Sequence, residues 1–191
     1  LIFDSKRFIP RKAKTYPLEV EYKGKPSFSR DILVVFGFLD KEPINFIVNH
    51  WPSRSGGQAE SEPQRVKAAE VNKRIIDSIQ NIDINAKIIS MGDFNDHPDD
   101  KSLKILTSTY NKENIETPGM FNPMQELSKR GRASYLFRGF PSAIDQFVIS
   151  NGLISKNSNL VYLKADVYMK RFLYTQEGRY RGCLLYTSPS P

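Results

Sequence analysis

The chain has 191 residues, 39% hydrophobic and 12% aromatic, and its 28 Lys and Arg against 21 Asp and Glu leave a formal charge of +7. That is enough apolar chain for one domain's core, which excludes disorder, and no run approaches the roughly 18 apolar residues of a membrane span. One cysteine, Cys183, excludes an intrachain disulfide or a multi-cysteine metal site, and two histidines, His50 and His97, are too few for a His-rich zinc centre without carboxylates. The positive balance favours anionic partners such as nucleic acid, phosphorylated metabolites or acidic lipid headgroups, and it suits a solvated basic surface equally well. The first residue is Leu and no signal-like charged head and apolar stretch follows it, so the chain is expected to begin inside a longer protein. Localisation is not encoded in these residues.

In chain order, "LIFDSKRF" is a short apolar piece followed by a turn. The β-branched and aromatic runs "DILVVFGFL" (31–39) and "INFIVNH" (44–50), joined by "DKEP", predict an antiparallel pair. Residues 60–80 predict a helix with Ser61 as its cap and Gln64 completing the box, because Ala68, Val71, Ile75 and Ile79 share one face. "AKIISM" (86–91) predicts a strand buried on both faces, "KSLKILTSTY" a helix and "AIDQFVIS" a strand centred on 144–150. "DVYMKRFLYTQEGRYRG" (166–182) predicts a strand, a turn and a basic loop. The last nine residues, "CLLYTSPSP" (183–191), carry no charge and resemble a one-frame translation of a sequencing-library adapter. The expected domain is therefore 1–182, with 183–191 not native. Strands alternating with amphipathic helices predict sheet covered by helices, in the α/β or α+β class.

The chemistry-bearing residues fall at strand ends. In extended chain, side chains two apart point the same way, so Asp93 and Asn95 are expected to project together beyond the 86–91 strand, with Phe94 turned into the core. His50 ends the 44–49 strand. Asp145 is placed inside an apolar strand, where a metal, a histidinium or hydrogen bonds must compensate it. Each has a plainer alternative: Asp93 and Asn95 also suit a turn, His50 a satisfied core histidine, and Asp145 a cap or an arginine partner. His97 is expected to be solvated, and Asp96, Asp99 and Asp100 to start the next helix, where carboxylates complement its dipole.

Taken together, "NHWPSRSGG" (49–57) with "SEPQRVKAAE" after it, "GDFNDHP" (92–98) and "YLFRGFPSAIDQFVIS" (135–150) resemble the endonuclease/exonuclease/phosphatase family of deoxyribonuclease I and exonuclease III. The resemblance implies an α+β, four-layered sandwich: two mainly antiparallel sheets face to face, helices outside, and a site where loops converge at one end. It implies phosphoester hydrolysis by in-line attack of water, assisted by Mg²⁺ or Mn²⁺, with nucleic acid as the expected substrate. It assigns Asp93 to the attacking water, Asn95 to that water or the metal, His50 to a phosphate oxygen, Asp145 to the far side of the site, and Arg54 and Arg30 to substrate phosphate; Asp93 and Asn95 are also its metal ligands here. The family's opening Asn and metal-binding Glu and its closing Asp-His pair have no counterpart in this sequence, so the chain by itself is expected to be inactive and incomplete at both ends. Two other readings stay open: the same mechanism on a lipid, inositol or sugar phosphate, and a non-catalytic binding module. Retention of all four of His50, Asp93, Asn95 and Asp145 argues against the last.

Overall fold

The structure, a computed structural model, describes residues 2–177 except 23, 138–139, 156–157, 169–171, 173–174 and 176. Ten strands are described: β1 (Phe8–Tyr16), β2 (Glu19–Tyr22), β3 (Lys25–Phe28), β4 (Ile32–Leu39), β5 (Glu42–His50), β6 (Ile88–Asp93), β7 (Met120–Phe121), β8 (Tyr135–Phe137), β9 (Phe140–Ser142) and β10 (Asp145–Ser150). The helices are α1 (Gln58–Gln80), α2 (Lys101–Leu106) and α3 (Met124–Lys129). One six-stranded sheet in the order β1-β4-β5-β6-β10-β7 forms the body, and β2-β3 and β8-β9 are separate two-stranded ribbons. Every strand pair of the large sheet is antiparallel except β5 with β6, which are parallel because α1 carries the chain back across the sheet between them. This is the α+β architecture expected.

The β4–β5 hairpin turns on Asp40 and Lys41, both at positive φ (49° and 74°), the two-residue geometry whose twist matches the strands it joins. The helix-covered face of the sheet is the dry one. Ile47, Ile88 and Val148 are fully buried there against Ala68, Ala69 and Ile76 of α1 and Leu103 of α2. Each such aliphatic side chain contributes about 1.5–3 kcal/mol by leaving water. The opposite face, with Phe46, Val48, Ile89, Met91 and Phe147, is half-buried, partly covered by Leu160 and Tyr162.

Several local expectations change. The helix starts at Gln58, not at residue 60, and Gly57 occupies its N-cap. Ser61 thus lies in the first turn, its hydroxyl bonded back to the Gly57 carbonyl, and Gln64 donates to the Glu21 carbonyl instead of closing a capping box. The 86–91 strand runs from Ile88 to Asp93, with only alternate residues Ile88 and Ser90 fully buried, so it is not buried on both faces. The helix begun at Lys101 stops at Leu106. Strand β1 went unforeseen: after Phe8 its residues are almost all exposed, because it is the sheet's edge and carries Arg11, Lys12 and Lys14 where an apolar alternation would otherwise mark it. Residues 166–168 are in no strand, and Cys183 with the rest of 183–191 lies outside the described residues.

Candidate active site

Strand register brings three of the expected residues into one row. His50 is paired with Asp93 across the parallel β5–β6 ladder, and Asp93 with Asp145 across the antiparallel β6–β10 ladder. The row continues the open face of the sheet, where Val48, Met91 and Phe147 form the row before it. An apolar ladder therefore ends in an imidazole and two carboxylates on adjacent strands, with Asp93 in the middle of the row.

The local sequence explains why these side chains face out. Asn49 and Trp51, on either side of His50, are buried, and so is Phe94 beside Asp93. Trp51 and Phe94 pack edge to face, ring centroids 4.6 Å apart, while the indole N–H donates to Asn49 Oδ1 at 3.0 Å. Asn72 of α1 donates to that same oxygen and to Ser90 Oγ, both at 2.8 Å. With its neighbours anchored inward, His50 must turn outward, and its side chain is 48% exposed. It is not a satisfied core histidine. Gly92 is required between them: at φ 136° a Cβ there would sit 2.0 Å from the Asn49 carbonyl oxygen.

His50 Nε2 lies 3.7 Å from Asp93 Oδ2, an ion-pair distance too long for a hydrogen bond. Burial pushes the Asp93 carboxyl above its ordinary value and the charge of Asp145 adds to this, against the Asn95 N–H, His50 and Arg30, which favour the carboxylate. Arg30, just before β4, thus sits within electrostatic reach of the row. Asn95 does not continue the extended chain. Its φ is 51°, and its N–H donates to Asp93 Oδ1 at 2.8 Å, so Asp93 is a turn former as well as a member of the row. The Asn95 amide nitrogen donates to the Trp51 carbonyl at 2.9 Å, tying this bend to the end of β5.

Asp145 corrects the expectation of a buried carboxylate: it is the first residue of β10, exposed, and accepts a 2.8 Å hydrogen bond from Ser134 Oγ. Arg54 is held by the protein itself. Its Nε donates to the Asn95 carbonyl at 2.7 Å and its Nη2 to Asp100 Oδ2 at 2.9 Å and Asp96 Oδ1 at 3.3 Å. Of the three aspartates expected at the helix start, only Asp100 stands at the N-cap of α2, and Asp96 is fully buried. His97 is half-buried, its Nε2 3.4 Å from Ser142 Oγ. Sequence reasoning missed Arg65, Asn72, Gln146 and Ser134. For the first two a signal existed: the buried stripe of α1 runs through positions 65, 68, 72 and 76, and a polar side chain on such a stripe needs a partner. A cavity of about 610 Å³ begins at Asp145 and Gly92 and spreads over the open face along Ile89, Met91 and Phe147.

The donors suit a hard cation. Asp93 and Asp145 face each other in register, and the repulsion that adds to burial in raising Asp93 is what a cation would relieve. Carboxylates and an amide carbonyl are oxygen donors of the kind Mg²⁺ and Mn²⁺ take. Among the described residues no three His, Cys, Asp or Glu form a metal-holding group. The fit is to a hydrated ion shared with substrate, the usual manner of Mg²⁺, not to a protein cage.

The described residues thus form a mainly antiparallel sheet with helices on one face and an acidic, histidine-bearing row at its end. Residues 1–188 match the profile described as "Endonuclease/Exonuclease/phosphatase family", and the chain belongs to that family. No curated protein matches it in sequence. Among solved structures it is similar to truncated Caenorhabditis elegans TDP2 (14% identity, TM-score 0.53, 78% of this chain and 55% of that one). It is also similar to the human Nocturnin catalytic domain with bound sulfate (16%, 0.55, 78% and 50%) and to D. rerio TDP2 complexed with single strand DNA product (14%, 0.52, 76% and 54%). The chain thus spans about half the length of these proteins. No helix among the described residues is long and apolar enough to cross a membrane.

Proposed function

We propose that this chain carries the central part of a divalent-metal-dependent phosphoester hydrolase, a phosphodiesterase acting on nucleic acid by in-line attack of water. The observation that carries the reading is the row His50–Asp93–Asp145, aligned by register across three adjacent strands, with Asn95 tied to both Asp93 and Trp51. Asp93 takes the proton of the attacking water. Its raised proton affinity makes it a better acceptor at neutral pH than an ordinary aspartate. Asn95, its amide nitrogen fixed by Trp51, offers Oδ1 to that water or to the metal. His50 Nε2 donates to a non-bridging phosphate oxygen, where charge grows in the transition state. Asp145 serves the leaving-group side, and Arg30, within electrostatic reach of Asp93, contacts substrate phosphate. Asp93, Asn95 and Asp145 would hold Mg²⁺ or Mn²⁺, which supplies neutralisation of the phosphate oxygens. Nucleic acid is favoured by the formal charge of +7 and by the solved TDP2 relative with single strand DNA product.

The test is a panel of single-stranded DNA, RNA, a sphingomyelin-like diester and an inositol phosphate, each with chelator and with Mg²⁺ or Mn²⁺ restored. It is run on this chain and on the uninterrupted gene product. Hydrolysis of nucleic acid by the longer protein, lost in chelator and regained with metal, supports the reading. Preference for the lipid or inositol substrate would move the substrate class, and chelator-resistant hydrolysis would remove the metal. The fuller proposal, that this chain alone is inactive, fails if both proteins turn over equally.

A further inference from the structure

Behind the bend at 93–97 lies an ion pair with no exposure to solvent. The side chains of Arg65 and Asp96 are both 0% exposed, with Arg65 Nε 2.7 Å from Asp96 Oδ1, a contact of charges in which the Nε–H is not aligned for a hydrogen bond. The same oxygen accepts from Gln58 Nε2 at 3.1 Å and Arg54 Nη2 at 3.3 Å, and Oδ2 accepts from Ser102 Oγ at 2.6 Å. The Asp96 carbonyl accepts from Gln146 Nε2 at 2.6 Å. One aspartate is thereby tied to the start of α1, the chain after β5, α2 and β10. Arg65 spends its other nitrogens on Ser61 Oγ at 2.8 Å and the Gln58 carbonyl at 3.2 Å.

A buried ion pair is a costly way to hold a core, since apolar side chains of the same size stabilise as well or better. What it supplies here is a buried charge around which directional bonds gather: those the Asp96 carboxylate accepts from Gln58, Arg54 and Ser102 fix orientation. The orientation that needs fixing is adjacent. Asn95 precedes Asp96 and sits at φ 51°, a left-handed conformation that costs a non-glycine residue free energy. Arg54 Nε bonds the Asn95 carbonyl, so the same cluster grips the bend from two sides. Gln146, bonded to the Asp96 carbonyl, precedes no other residue of the row but follows Asp145 directly.

We infer that Asp96 and Arg65 are positioning residues: their buried ion pair holds the 93–97 bend so that Asn95 stays beside Asp93, and through Gln146 it sets the start of β10 that carries Asp145. The catalytic consequence rests on the phosphoesterase reading; the effect on the bend does not. The structural arm is therefore read on this chain by amide hydrogen exchange. Asp96→Asn is expected to speed exchange of the Asn95 amide about tenfold or more over any change at Ile47 and Ile88 in the sheet. Ser102→Ala, a milder loss at the same carboxylate, should speed it about threefold. Ile75→Ala, a core truncation on α1, should instead change Asn95 and the sheet alike. Unchanged Asn95 exchange in Asp96→Asn or, should that variant not fold, in Ser102→Ala overturns the inference, as does an equally selective effect from Ile75→Ala.

The catalytic arm uses the uninterrupted gene product well below the melting temperature of each variant. Asp96→Asn should lower kcat about 30- to 100-fold with KM within about threefold, and Arg65→Lys, which keeps the charge, should recover part of the Arg65→Met loss. Equal kcat losses in Asp96→Asn and Ile75→Ala would reduce the pair to a structural one. Absence of hydrolysis in the parent gene product would remove the phosphoesterase reading, and normal hydrolysis by His50→Ala and Asp93→Asn would remove this row from the mechanism; either leaves the exchange result to stand or fall by itself.

Discussion

On the front of the 93–97 bend, Asp93 faces His50 and Asp145 with its side chain 29% exposed, and it accepts a hydrogen bond from the Asn95 N–H. On the back, three residues further, Asp96 is sealed from solvent and both of its carboxylate oxygens are occupied. The two carboxylates differ in what surrounds their charge. Asp93 is partly desolvated beside another acid and holds its proton more tightly than usual, the state of a group prepared to accept a proton or meet a cation. Asp96 has two guanidinium groups, an amide and a hydroxyl spent on it, and has nothing left to offer a substrate. The contrast teaches that an acidic motif divides its labour by solvent access: the carboxylate that water can reach is available for chemistry, and the one that water cannot reach keeps the first in place.

The contrast can be broken from the front. Asp93→Asn should cost about 10³-fold or more in turnover of the active protein if Asp93 is the general base. Near-normal turnover would leave the front without its chemistry. From the back, Asp96→Ala should lower the unfolding free energy in urea by about 3–5 kcal/mol, because it strands Arg65 as an unpaired buried charge. A loss under about 1 kcal/mol would mean that the site relaxes and the back is not rigid. His50→Ala sharpens the comparison, with a turnover loss of about 10²-fold and a stability change within about 0.5 kcal/mol, since half of the ring is already in water.

The smallest expected effect concerns pH. The folded protein holds Asp93's proton more tightly than the unfolded chain does, so the stability it contributes is fully present below the unfolded aspartate pKa and is lost as pH rises through the raised folded value. Asp93→Asn should therefore melt slightly higher than the parent at pH 7, with the advantage shrinking towards pH 3. A variant that melts lower at pH 7 would show that the front carboxylate stabilises the fold after all.

How much of this was legible in the sequence differs by element. The β4–β5 pair and α1 were, because their apolar periodicities are long and unbroken, and so was the convergence of His50, Asp93 and Asp145 once motifs on three separate segments were taken together. Strand β1 was not, since an edge strand dressed in lysine and arginine has no apolar alternation to find. The exposure of Asp145 was not, since its apolar neighbours do not mark it as the first residue of its ladder. Asp96 reads as part of a helix start because carboxylates suit a helix dipole, whereas its partners Arg65 and Gln58 lie a whole helix and strand away in sequence. A buried polar cluster of that kind is long-range by construction and leaves only a polar residue on an apolar stripe as its trace.

The parallel pairing of β5 with β6 also sets an order of events in time. His50 belongs to a hairpin closed by a two-residue turn, and such local structure forms within microseconds of its residues becoming available. Its neighbour Asp93 arrives only after α1 has been synthesised and laid across the sheet, a non-local contact that pays its loop-closure entropy before any reward. On a ribosome His50 is made, with both strands of its hairpin, before either carboxylate of its row exists. A nascent chain cut anywhere within α1 has no row, and the row is complete only when β10, the last made of its three strands, pairs with β6.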